Sequence, residues 1–279
     1  MRTIYSMTMI WVVLVIFIPE AQQARAQSVL LEPNSGPAVQ LEALKPNARD
    51  LDISTASFTF YLSGRFAVGG ENLLRLELPF VHYEEEDSYN PWGAWGGESA
   101  VGNPYLGLDL GNPDNGFQLE AGMRLPLLKK GSEAAAAGAM SDYTERIEAF
   151  LPNLMPLLLG ANYHLRSEGG FGLRLRGAPV FWLWTGDSSS AENEIYLLYS
   201  AQAWYENRTV GIGGGLTGRY LVTSEGAEFD ETSLHQLAFF ANFSFGSFIP
   251  GFQARYPLDD DLRNIGLETT YSFSLGWKL

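Results

Sequence analysis

The sequence predicts an all-β fold: a transmembrane, antiparallel, up-and-down β-barrel of about twelve strands with a short helix in one outer loop. Three observations predict it. The chain ends on a period-two stretch, IGLETTYSFSLGWKL (265–279), whose odd positions are apolar or Thr, while Gly266, Glu268, Thr270, Ser272, Ser274, Gly276 and Lys278 fill the even ones. A strand sends alternate side chains to opposite faces, so one face is hydrocarbon and the other small and polar. The turns also alternate in length, short at Gly69, Asn112, Ser167, Glu206 and Gly246, long and polar at Glu84, Lys129, Thr185, Thr223 and Asp259. Outer-membrane barrels show that asymmetry, short on the inner side and long outside. Finally, Glu77-Leu78-Pro79-Phe80, Arg124-Leu125-Pro126-Leu127 and Arg255-Tyr256-Pro257-Leu258 repeat one pattern in one parity. Proline removes a ladder donor, which places each just before a long loop, where pairing thins out.

The amino terminus reads as a leader. Met1 and Arg2 precede an apolar core, MIWVVLVIFI (9–18), and Ala24-Arg25-Ala26 supplies small residues before Gln27. Residues 1–26 are therefore expected to be a signal peptide cleaved after Ala26, and the compartment the outer membrane of a Gram-negative-type bacterium. Of the 279 residues none is Cys, which excludes disulfides and an N-terminal lipid thioether. The net charge of −14 leaves no basic stripe for nucleic acid. A mean hydropathy of −0.05 suits strands with one polar face.

Residues 27–55 form an arm in which Val39, Leu41 and Ala43 alternate with Gln40 and Glu42, leaving open a first strand or a flexible segment. The barrel proper is expected over 56–279. Phe58, Phe60, Leu62, Phe66 and Val68 share one face, opposite Thr59, Tyr61, Ser63 and Arg65, and Gly69-Gly70 makes a tight turn. Leu74, Leu76, Leu78 and Phe80 alternate with Arg75, Glu77 and Pro79 and run into the loop EEEDSYNPWGAWGGES (84–99). Leu106, Leu108 and Leu110 alternate with Gly107 and Asp109 before the turn Asn112-Pro113-Asp114-Asn115. Phe117 to Leu127 and Leu157 to Leu165 repeat the alternation on either side of a long insert. Four further strands, over 171–184, 195–205, 210–222 and 234–245, precede 252–258 and the terminal strand. In the insert, Asp142 and Glu145 have capping-box spacing, and Tyr143, Ile147, Phe150 and Leu151 recur at helical spacing up to Pro152. That predicts a short amphipathic helix at 142–151, in the mouth or on the rim.

The stretches FTFYLSGRFAVGGENLLRLELPFVHYEEE, AVGNPYLGLDLG and GFQLEAGMRLPLL resemble the outer-membrane proteins grouped as the meta-pathway phenol-degradation family. The likeness lies in a glycine-turn hairpin, a strand ending in Leu-Pro and a Gly-rich strand opening, and is clearest over 58–128. The chain departs where Gly102-Asn103-Pro104 replaces the typical Gly-Asp and where no Thr-Gly follows Leu125-Pro126. The resemblance implies a barrel that passes small, often aromatic molecules, and it carries no catalytic residues.

With the apolar parity facing lipid, the other parity lines a lumen. There lie Arg65, Arg75, Arg124, Arg166, Arg174, Arg176, Arg219 and Arg255 against Glu77, Asp109, Glu120 and Glu268. Such a lining either orients polar solutes or fills a small barrel with ion pairs. Toward the outer end that parity turns apolar at Val180, Trp182, Trp184, Tyr196, Leu198 and Phe240, a candidate patch for an apolar solute or an aromatic girdle shifted in register. No metal or cofactor is expected: His82, His164 and His235 lie on different strands. The acidic runs Glu84 to Asp87 and Asp259 to Asp261 suit solvated loops or cation bridges to lipopolysaccharide. Trp277 and Leu279 resemble the terminal signal read by barrel-assembly machinery, with Leu in place of the usual Phe. The expected function is a non-enzymatic channel or uptake protein for small, hydrophobic or aromatic molecules. The alternatives are a non-transporting structural or surface-interaction barrel, and a lipid-modifying enzyme on Ser233 and His235, which share a face but lack a third residue.

Overall fold

The computed structural model describes residues 36–48, 55–85, 96–112, 116–186, 192–224, 228–264 and 266–279. The expected signal peptide and the arm as far as residue 35 lie outside them. The elements in order are β1 (Ala38–Ala48), β2 (Thr55–Gly69), β3 (Asn72–Glu85), β4 (Gly96–Val101), β5 (Tyr105–Leu110), β6 (Gly116–Arg124), α1 (Glu133–Ser141), α2 (Tyr143–Arg146), a 3-10 turn (Ile147–Ala149), β7 (Leu154–Arg166), β8 (Phe171–Trp184), β9 (Glu194–Glu206), β10 (Val210–Leu221), α3 (Phe229–Thr232), β11 (Ser233–Phe243), β12 (Phe248–Pro257), α4 (Asp260–Asn264) and β13 (Leu267–Lys278).

All strand pairs are antiparallel, between chain neighbours except for β3 with β5, and β1 closes the ring by pairing with both β2 and β13. The alternation of residues 39–43 is thus a wall strand, running from Ala38↔Lys278 to Ala48↔Leu267. Twelve strands make the barrel, and β4 is a thirteenth. The sequence assigns residues up to Ser99 to the long loop, but Gly96–Val101 pairs with the outer half of β3 and β5 with the inner half. The two lie in line along β3, separated by Gly102-Asn103-Pro104. Pro79, expected at a strand end, sits inside β3 because this gap faces it: Gly102 N–H donates to Pro79 O (3.0 Å), where proline offers no donor in return. Pro126 and Pro257 do stand at strand ends, as expected. Among the described residues no strand pairs with the second edge of β4.

Side-chain parity follows the sequence. Leu62 is 50% exposed, Leu159 54% and Phe252 49%, all on the outer face. A continuous apolar belt of this kind is far larger than the patches water-soluble monomers show, and hydrocarbon is its fitting solvent. No helix among the described residues is long and apolar enough to cross a membrane; the strands do so. β13 keeps the predicted parity from Thr270 onward, with Tyr271, Phe273, Leu275 and Trp277 outward. Nearer its start the expected alternation fails: Leu267 and Thr269 are both buried, next to the register shift opposite Asn47 and Ala48. A bulge puts consecutive residues on one side, and period two cannot register it.

The insert between β6 and β7 folds into the barrel. α1, unforeseen, starts at an N-cap where Ser132 Oγ accepts from Ala135 N (3.2 Å), and its alanine run favours helix. The capping box expected on Asp142 and Glu145 does not form, and the expected helix is split into α2 and the 3-10 turn. Asp142 is instead committed to arginines, as described below. Phe150 is seated between wall and helix, where a Cβ on Gly138 or Gly102 would lie 2.8 or 2.9 Å from its ring.

Candidate functional site

The lumen holds a layered network of charge. Arg65, Arg75, Glu77, Asp109, Glu120, Arg124, Arg174, Arg176, Arg219 and Arg255 are all buried there. Arg166 stands at the short-turn mouth, a third exposed and paired with Glu206. Glu268 is half-buried at the opposite rim, where its Oε2 accepts from Asn47 Nδ2 (3.4 Å).

The network has two tiers. In the upper one the insert is tied to the wall. Arg146 donates to Glu42 (2.6 Å) and Glu77 (3.2 Å) and pairs with Asp142, while its guanidinium lies 3.6 Å over the Tyr61 ring. Arg255 reaches Asp142 (2.7 Å) and Glu42 (3.1 Å), Arg219 reaches Glu148 (2.7 Å), and Arg124 reaches Glu77 (2.7 Å). In the lower tier Arg75 pairs with Asp109 and approaches Glu120 (3.8 Å), Arg176 donates to Glu120 (2.6 Å), and Arg174 to Asn162 (2.7 Å). Buried charges are tolerated when paired in this way. Sequence reasoning missed Glu42, Asp142, Arg146 and Glu148; the parity of Glu42 within 39–43 was the one available signal.

The insert carboxylates differ in their surroundings. Burial would raise the Asp142 carboxyl, but Arg146 and Arg255 outweigh it and hold it below its usual range; Arg219 does the same against burial for Glu148. Glu145 goes the other way: burial pushes it up, against the pull of Arg255.

Asn103, in the break between β4 and β5, anchors the segment. Its amide donates to Glu148 O (3.1 Å) and Leu151 O (2.7 Å), and its Oδ1 accepts from Leu128 N (2.9 Å). Gly102 has no room for a side chain, since a Cβ would sit 2.2 Å from Ala149 O.

Beneath the insert lies a narrow cavity of about 500 Å3, including the solvent open to it. Pro156, Leu158, Val180 and Leu198 are its apolar lining, and charged residues with Tyr105 are the rest. Two buried polar atoms on this lining, Glu145 Oε2 and Arg176 Nη2, have no hydrogen-bond partner among the described residues. Of the predicted apolar patch, Val180 and Leu198 therefore face the cavity. Trp182, Trp184 and Tyr196 join them in a cluster with Ile147, Ala149 and Phe150 of the insert and Leu154 at the start of β7. Trp182 Nε1 donates to Glu148 Oε1 (3.0 Å), and the Trp182 ring lies 4.4 Å from that of Tyr196, tilted by 40°. Phe240 does not belong to this group. It pairs with Gly213, level with Trp204 and Gly172, well down β8 from Trp182.

The fold is similar to those of solved structures, among them the following three. An outer-membrane channel from Pseudomonas putida F1 superposes with a TM-score of 0.61 at 12% identity, over 91% of this chain and 99% of that one. The translocator domain of autotransporter NalP from Neisseria meningitidis gives 0.53 at 10%, over 88% and 89%, and the NanC porin 0.51 at 9%, over 88% and 100%. At these identities the likeness is one of fold. No protein-family model and no curated protein matches the chain.

The Ser233 and His235 pair does not assemble. Ser233 Oγ is buried without a hydrogen bond, while His235 bonds Asp259 through Nδ1 (3.0 Å) and the Tyr199 hydroxyl through Nε2 (2.5 Å). The register shared by the two residues is not contact, and neither can act through the other.

Proposed function

We propose that this chain is an outer-membrane channel that takes up small amphiphilic solutes, with the segment 125–153 as its movable plug. Similarity of fold to an outer-membrane channel and to a porin supports the compartment and the general role. So does the expected leader, whose removal and whose hand-over to barrel-assembly machinery through β13 belong to the same proposal. The resemblance to the meta-pathway phenol-degradation group supports a small aromatic solute.

The observation that carries the solute class is the cavity lining. An apolar wall of Pro156, Leu158, Val180 and Leu198 faces Arg176 Nη2, a free donor, and Glu145 Oε2, a free acceptor when ionised. A solute hydroxyl offers an acceptor for the first and a donor for the second, and its ring or chain has the apolar wall to lie on. Phenols and related alcohols have that shape. Phenol and toluene entry into proteoliposomes tests this: phenol is expected to be favoured, and Arg176→Met to remove the preference. Equal entry of both solutes, unchanged by the substitution, would contradict the solute class. The alternative, a structural barrel, draws on the buried ion pairs that hold the insert in place, and it is tested by conductance below.

A further inference from the structure

At the long-loop end of β3 and β4, on the outer face of the barrel, three side chains form a chain of hydrogen bonds. His82 and Ser99 are direct cross-strand partners, and Ser99 Oγ lies 2.8 Å from His82 Nδ1. His82 Nε2 lies 3.0 Å from Glu84 Oε1, two residues on and on the same face. Glu84 accepts the Nε2 proton and so fixes the tautomer whose Nδ1 lone pair meets the serine hydroxyl. A nucleophile, a base within reach of it and a group orienting the base constitute the arrangement that activates serine.

Two further features complete the site. Gly102 N–H bonds to Pro79 O, so by the alternation of antiparallel ladders residues 100 and 98 face β3, while the N–H groups of Ser99 and Val101 point to the other edge. No described strand pairs with that edge. The Ser99 N–H therefore points, beside its own hydroxyl, to an edge that no described strand covers, the placement an oxyanion donor requires. Gly97 leaves the imidazole accessible: a Cβ there would stand 3.4 Å from the His82 ring. The side chains of His82 and Glu84 are 38% and 39% exposed. On the same face below them, Leu76, Leu78 and Phe80 belong to the apolar belt.

We infer that Ser99, His82 and Glu84 form a hydrolase site for ester-linked acyl chains of membrane lipids. The acyl chain lies along Leu76, Leu78 and Phe80, which brings its ester to the rim. Ser99 Oγ attacks the carbonyl carbon and its proton passes to His82 Nδ1. The tetrahedral intermediate collapses, expelling the alcohol, which takes that proton, and leaves an acyl ester on Ser99. Water, deprotonated at Nδ1, attacks this ester, and collapse returns the proton to Ser99 Oγ and releases the fatty acid. The ester can belong to a glycerophospholipid or to an acylated saccharide lipid; both present the same bond to the same place.

The test uses the full chain refolded in detergent, with wild type, Ser99→Ala and Glu84→Gln compared. A fluorophosphonate probe is expected to label wild type at Ser99, located by peptide mass, and fatty acid to be released from diacylphosphatidylcholine micelles or from lipopolysaccharide. Release from one and not the other supports the site and identifies the lipid. Ser99→Ala is expected to lower release at least about 100-fold, and Glu84→Gln to slow labelling by misplacing the tautomer. Heat-dependent gel mobility confirms that each variant is folded. Absence of both labelling and release in folded wild type, or release undiminished in Ser99→Ala, overturns the inference. The site uses no lumenal residue, so its failure is distinct from failure of the channel.

Discussion

Arg146 is the residue on which the seated insert depends most. It is 2% exposed and bonds Glu42, Glu77 and Asp142, joining three elements. Removing one partner of a buried ion pair costs about 3–5 kcal/mol, because the other charges stay behind unpaired. Arg146→Ala should therefore release the segment rather than unfold the barrel, making 125–153 cleavable by added protease while β-sheet circular dichroism is retained. Gly102→Ala reaches the same end without altering charge. The new Cβ would clash with Ala149 O, backbone that cannot swing aside, and the same protease assay should show partial release. Acid should act in two steps. Glu145, raised by burial in the seated state, favours seating when protonated, so seating strengthens as pH falls through its raised value toward the ordinary 4.5. Asp142 and Glu148 are depressed when seated, so their contribution is present above the ordinary carboxylate range and lost as pH falls through their lowered values. Protease protection of the insert measured against pH is thus expected to rise slightly as pH falls toward the ordinary carboxylate range and then to collapse in stronger acid.

Among the elements, the strands were legible and the insert was not. Lipid on one side and a polar lumen on the other impose one rule on each wall residue, and a period of two records it from Phe58 to Trp277. The rule breaks where backbone is irregular: at the bulge near Glu268, and at Gly102-Asn103-Pro104, where one wall strand becomes β4 and β5. The insert obeys no such rule. Its charges find partners far along the chain, Glu42 with Arg255 being 213 residues apart, and periodicity holds no information about that distance. For the same reason the spacing of Asp142 and Glu145 predicts a capping box, whereas Glu145 Oε1 accepts from Gln236 Nε2 of the wall (3.2 Å). Ser233 and His235 share a strand without a hydrogen bond between their side chains, while Ser99 lies in a strand whose sequence reads as part of the long loop. Helix α1 has its own test. Ser132→Ala removes the N-cap bond, worth about 1 kcal/mol, and should raise protease sensitivity of the insert by less than Arg146→Ala does.

For the molecule as a whole, an apolar belt surrounds a lumen crossed by paired charge and occupied by a segment of the same chain. The barrel needs lipid or detergent to cover residues such as Leu159 and Phe252, so the chain should migrate faster unheated than boiled and lose that difference without detergent. What distinguishes a channel from a purely structural barrel is whether the segment can leave. Single-channel recording in planar bilayers, comparing wild type with Arg146→Ala, tests this most directly. The account predicts a wild type that is mostly closed with brief openings, and a variant with long openings of larger conductance. A variant that remains folded, inserted and as silent as wild type would contradict it.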